Sequence, residues 1–69
     1  MPLSMAKRGE ENYIKRILGN AQMRRHLENL GFVVGSPVKV LNGLNGDLIV
    51  SIKDSRVAIS REMAEKILV

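Results

Sequence analysis

Residues 37–60 read PVKVLNGLNGDLIVSIKDSRVAIS, and their period decides the fold. Val38 and Val40 flank Lys39; Leu48, Val50 and Ile52 alternate with Ile49, Ser51 and Lys53; Val57 and Ile59 alternate with Arg56, Ala58 and Ser60. Such alternation puts every second side chain on one face, which is the pattern of a half-buried β-strand. Two Asn-Gly steps, Asn42-Gly43 and Asn45-Gly46, supply the positive φ angles of tight reversals, and Asp54-Ser55 supplies a weaker two-residue connection. The stretch therefore predicts two antiparallel hairpins.

Downstream, Ser60 offers a helix-capping hydroxyl for a short turn from Arg61 to Lys66, with Met63 and Ile67 four apart. Ile67-Leu68-Val69 reads as a last strand. Upstream, the period changes to 3.6: Asn20 is a good N-cap, Met23, Leu27 and Leu30 share one helical stripe, and Gly31 is placed to end the helix. Phe32 would then fold back on Leu27, the contact that accompanies a Schellman-type stop. A helix this short is marginal alone and must be held by packing its stripe against a sheet. Tyr13 to Leu18 (YIKRIL) is β-prone, but Ile14 and Ile17 stand three apart, so the strand carries a bulge or is buried partly on both faces. At the front, Ser4 is placed to cap a helical turn that stops at Gly9, with Leu3 and Met5 as its buried contacts.

About five short strands and one or two helical turns in 69 residues leave few architectures. An open sheet would expose a flat edge, whereas curling the strands into a small barrel pairs most edges and encloses the Val/Ile/Leu set. The expected fold is mainly β with short helices: a partly open, SH3-like β-barrel, one domain over residues 1–69. A strand edge left open by so small a barrel leaves room for weak self-association.

The chain has no cysteine, which excludes a disulfide-stapled module. No window approaches the roughly 20 apolar residues needed to cross a bilayer, and the start MPLSMAKRGEENY lacks the apolar run of a secretory signal. A cytoplasmic location without membrane insertion is expected. Eleven Lys+Arg against seven Asp+Glu give a formal charge of +4, spread without any dense basic block.

Motifs in order along the chain resemble the FeoA family. These are the Leu3-Ser4 turn ending at Gly9-Glu10, a strand with Ile14 and Ile17, and Leu27-Glu28-Asn29-Leu30-Gly31-Phe32 leading to Gly35. Val38 and Val40, the Gly46-Asp47 hairpin, Val57-Ala58-Ile59 and Arg61 follow, and the chain closes on Ala64-Glu65-Lys66-Ile67-Leu68-Val69. The departures are His26, where such sequences often have arginine, and Val34 and Leu48, where they often have proline. The resemblance implies an SH3-like barrel that assists FeoB, the membrane ferrous-iron importer, through its cytosolic GTP-binding region, and is recruited by that partner to the inner face of the membrane. It also covers the C-terminal SH3-like domain of diphtheria-toxin-repressor-type metalloregulators; a free-standing chain with no helix-turn-helix favours the transport accessory.

The residues themselves point away from catalysis. A serine nucleophile needs an activating base held by a third group, and His26 is the only histidine. Ferrous iron wants several converging ligands, while Glu10-Glu11, Glu28, Asp47, Asp54, Glu62 and Glu65 are dispersed over separate elements. No metal site and no cofactor are expected. There is no Gly-rich Lys-Ser/Thr loop for a nucleotide phosphate. Nucleic-acid binding is the competing reading, because the charge is positive, but single-strand binders need aromatic platforms and the chain has one Tyr and one Phe. Phe32 reads as core.

Docking on a protein remains. Arg24, Arg25 and His26 form a small basic helix face suited to carboxylates, although a solvated face is the plainer reading. Tyr13 can pack its ring and keep its hydroxyl in water, or contact a partner. Leu44, at the tip of the Asn-Gly loop, is either tucked back or used as a contact. These five residues are the candidate partner-binding set.

Overall fold

The computed structural model describes the backbone of residues 1–69 and every side chain except that of Leu44. After a 3-10 turn at Leu3–Met5 come β1 (Glu11–Tyr13), β2 (Arg16–Ile17), α1 (Ala21–Leu30), β3 (Pro37–Leu44), β4 (Asp47–Ile52), β5 (Ser55–Ser60), α2 (Arg61–Glu65) and β6 (Ile67–Leu68). Strands β1-β3-β4-β5 make a four-stranded antiparallel sheet, and β2-β6 make a second sheet of two. The core is Leu27 and Phe32 from α1 and its exit, Val38, Val40, Leu48, Val50, Ile52 and Ile59 from the large sheet, and Leu3, Ile14, Ile17, Ala64, Ile67 and Val69 around them. The alternation read in residues 37–60 is the alternation seen, with β4 buried at Leu48, Val50 and Ile52 and turned outward between them. The result is mainly β, six strands where about five were expected, in two sheets that do not close into a hydrogen-bonded ring.

The awkward spacing of Ile14 and Ile17 has a cause other than a bulge. The Ile14 N–H and C=O both bond the loop beyond α1, to the Ser36 carbonyl at 3.0 Å and from the Gly35 N–H at 2.7 Å. One residue later the Lys15 N–H goes to Leu68 O at 2.8 Å. The chain thus leaves one sheet for the other at Ile14-Lys15, and the alternation restarts with it. Strands that switch sheets are the corners of packed-sheet folds.

The hairpins also differ in detail. Asn45 (φ 50°) and Gly46 (φ 88°) together form the two-residue turn between β3 and β4, the doubly positive geometry whose twist matches the strands. Asn42-Gly43 does not reverse the chain: it lies inside β3, where the register slips between Val40 and Asn42 and leaves Leu41 as an extra residue. The β4–β5 turn is Lys53-Asp54, one residue earlier than expected, because Ser55 already pairs with Ile52. Lys53 takes the positive φ there, at 54°.

Helix α1 follows its reading closely. The Asn20 side chain accepts from the Met23 N–H at 2.8 Å. Gly31 sits at φ 108°; its N–H bonds Glu28 O at 2.9 Å and the Phe32 N–H bonds Leu27 O at 3.0 Å, the paired bonds of a Schellman stop. Asn20→Ala removes one of these anchors and is expected to lower the unfolding free energy by about 1 kcal/mol, measurable by urea titration. Ser60 likewise accepts from the Met63 N–H at 3.1 Å and opens α2.

The front differs more. Pro2, not Ser4, enters the first turn, with no side-chain cap, and the turn ends at Ala6. Leu3 is fully buried, but Met5 is 70% exposed. On a 3-10 helix residues two apart point to different sides, so the two cannot share one face. Gly9, at φ 81°, belongs to a separate turn whose N–H reaches Val40 O at 2.8 Å.

Candidate functional site

Helix α1 buries one stripe and presents the remainder of its surface on two sides. On one side, Arg24, Arg25 and Glu28 face Arg16 of β2 and the Val33-Val34 segment that leaves the helix, and the walls enclose an open cleft of ≈ 610 Å³. Its position follows from local sequence. The Schellman stop turns the chain back at Gly31, so Val33 and Val34 emerge beside the helix they follow, and after the switch of sheets at Lys15 the next residue, Arg16, lines the same cleft. Arg16, Arg24 and Arg25 are all exposed. Val34 is 65% exposed and Val33 half-buried, so the cleft joins a cationic rim to an aliphatic wall.

On the other side a shallower recess of ≈ 310 Å³ is lined by Asn20, Gln22, Met23, His26 and Met63. Met23 and Met63 pack against the core from its edge, which suits flexible thioethers that fill irregular gaps. Among the described residues, no group of three or more His, Cys, Asp or Glu is placed to hold a metal ion.

The five sequence candidates do not form one patch. Arg24 and Arg25 line the cleft, whereas His26 lines the recess on the other side of the helix. At about 100° per residue, Ala21, Arg24, Arg25 and Glu28 fall within one arc of about 100°, whereas His26 lies about 200° around from Arg24. Tyr13, at the edge of the large sheet opposite Pro37, is 58% exposed, and its hydroxyl donates to Glu11 Oε1 at 3.3 Å. The Leu44 side chain lies outside the described residues. Sequence reading missed Arg16, Val33 and Val34. The available signal was an apolar Val-Val pair just past a helix stop, in a segment that no strand needed.

A family model for the FeoA domain matches residues 1–69. A protein of Methanocaldococcus jannaschii, whose name assigns it to Fe(2+) transport as transport protein A, is 41% identical over 68 residues, which are 99% of this chain and 83% of that protein. The chain belongs to the FeoA family. Among solved structures, the iron uptake regulatory protein FeoA is 29% identical and superposes with a TM-score of 0.89 over 97% of this chain and 91% of its own. The Stenotrophomonas maltophilia FeoA in complex with zinc, described as a prokaryotic SH3 domain protein, is 23% identical, with a TM-score of 0.85 over 99% of this chain and 87% of that one. The small SH3-like architecture read from the hairpins is therefore that of FeoA structures, here in its unclosed form.

Proposed function

We propose that this FeoA-family chain is a non-enzymatic accessory of ferrous iron uptake, in which residues 1–69 act as one unit and dock on the cytosolic GTP-binding region of a FeoB-type transporter. The observation that carries the reading is the family match along every residue, together with 41% identity to a relative named for Fe(2+) transport. The surface chemistry supports contact rather than turnover. The Ser60 hydroxyl is engaged in capping α2, and His26 stands among Met23, Met63 and two amides. Among the described residues no helix is long and apolar enough to cross a membrane, so action at a membrane would come by recruitment to the partner.

Nucleic acid is the weaker reading. Phe32 is buried in the core and the Tyr13 hydroxyl is tied to Glu11, so the chain has no paired aromatic platform for bases. Of the docking candidates Tyr13, Arg24, Arg25, His26 and Leu44, the pair Arg24 and Arg25 is the part of this contact proposed for the α1 side, because both line one cleft. The test is calorimetric titration of the chain into the cytosolic region of a FeoB from the same genome, in its GDP, GTP-analogue and nucleotide-free forms. Saturable binding in at least one form is expected, and none in all three would refute the reading.

A further inference from the structure

We infer that the cleft between α1 and the Val33-Val34 segment receives an acidic segment of a protein partner, with carboxylates set against Arg16, Arg24 and Arg25 and an aliphatic side chain laid on Val34. This deepens the docking reading above and rests on it for the idea that the chain works by contact with another protein.

Three arginines from two elements line one concavity, whose lining includes a single acidic residue, Glu28. Guanidinium groups match carboxylates with two parallel hydrogen bonds, which gives such a rim direction as well as charge. The aliphatic wall adds a second requirement. Val34 stands 65% exposed beside those arginines, and covering it removes apolar area from water, which is favourable. A ligand that satisfies both walls carries acidic and aliphatic side chains in one short segment.

Other anionic partners fit worse, for physical reasons. A nucleic acid or polyphosphate presents an unbroken row of charge along its backbone, and Glu28 would repel it beside Arg24 and Arg25; the phosphates offer no aliphatic group to Val34. A bilayer is flat on this scale and cannot enter a concavity. A peptide can place a cationic or neutral residue opposite Glu28 and acids elsewhere, so Glu28 acts as a register mark.

The test uses the full chain and a probe peptide alternating Glu with Leu, followed by amide chemical shifts in NMR. Saturable shifts confined to Arg16, Ile17, Arg24, Arg25 and Val34 are expected. The double substitution Arg24→Glu, Arg25→Glu should weaken binding at least about tenfold, as loss and reversal of close charge partners does. Val34→Asn should weaken it without any change of charge, and Lys7→Glu with Arg8→Glu, on the exposed turn before β1, should leave it unchanged. Unaltered melting curves show that these surface variants are folded. The inference is overturned by shifts centred on the His26 and Met63 recess, by unchanged binding in the arginine variant, or by tighter cleft binding of single-stranded DNA or phosphatidylserine vesicles than of the peptide. The transporter region separates the two readings. If it binds the wild type and the arginine variant alike, docking stands and the cleft falls; if the peptide maps to the cleft but the transporter region does not bind, the cleft stands and the transporter reading falls.

Discussion

The Phe32→Ala variant is expected to lose its cooperative unfolding transition at room temperature, read by circular dichroism across a urea series. Truncating a buried phenylalanine costs about 3–5 kcal/mol, from lost transfer energy and the cavity left behind. A chain of this size holds a total on the order of 3–10 kcal/mol, so the loss is comparable with the whole. Phe32 has no exposed surface, and it is the one aromatic side chain in the core, since Tyr13 faces outward. It also has a local role. Its N–H makes the bond to Leu27 O that completes the stop of α1, and its ring enters the core directly after that stop, so side chain and backbone together fix how the helix lies on the sheet. Phe32→Leu keeps most of the volume and should cost under about 1.5 kcal/mol, retaining a cooperative transition. If the alanine variant unfolds as steeply and as late as the leucine variant, the helix exit is not where the core is anchored.

That such a residue could be picked from sequence shows where the fold was legible. Wherever one period ran unbroken and turn chemistry was unambiguous, burial followed the pattern: the alternation of Leu48, Val50 and Ile52, the Asn20 and Ser60 caps, and Gly31 with Phe32 are all as read. The reading failed where local signals were duplicated or where tertiary pairing decided. Asn42-Gly43 and Asn45-Gly46 carry the same turn chemistry, and only pairing along β3 and β4 selects the second. The Tyr13 to Leu18 segment divides between two sheets because its partners, β3 and β6, lie far apart in sequence. The candidate site was half legible for a similar reason. A helix face can be drawn from sequence alone, so Arg24 and Arg25 are legible on it, but three consecutive residues span about 200° of turn, which carries His26 to the other side. Arg16 and Val34 come from other segments, and only the fold sets them beside the helix.

Leu3→Ala is expected to cost about 2–5 kcal/mol, a large effect for the third residue of the sequence. Leu3 has no exposed surface and its turn packs against α2. Around it the two ends of the chain clasp each other. The Met1 ammonium donates to Val69 O at 2.9 Å, the Val69 N–H donates to Met1 O at 2.8 Å, and Pro2 bridges Leu68. On its other side β6 pairs with β2, and Lys15 and Leu18 send their N–H groups to Leu68 O and Lys66 O at 2.8 and 2.7 Å. A two-stranded ribbon is weak alone, so this small sheet depends on the packing that Leu3 supplies. Hydrogen exchange in the Leu3→Ala variant should therefore quicken most at the amides of Lys15, Leu18 and Val69, whose protection drops below that of β3, β4 and β5, while the latter follow the lowered global stability. Equal protection of the two sheets in the variant would mean that the ends are not a separate opening unit. The consequence reaches the cleft, because Arg16 stands on β2 and lines it together with Arg24 and Arg25. Opening the small sheet moves that arginine away from Arg24 and Arg25, so the variant should bind the acidic probe more weakly although every charge is intact. A variant with the fast exchange pattern but undiminished binding would show that Arg16 contributes nothing to the cleft.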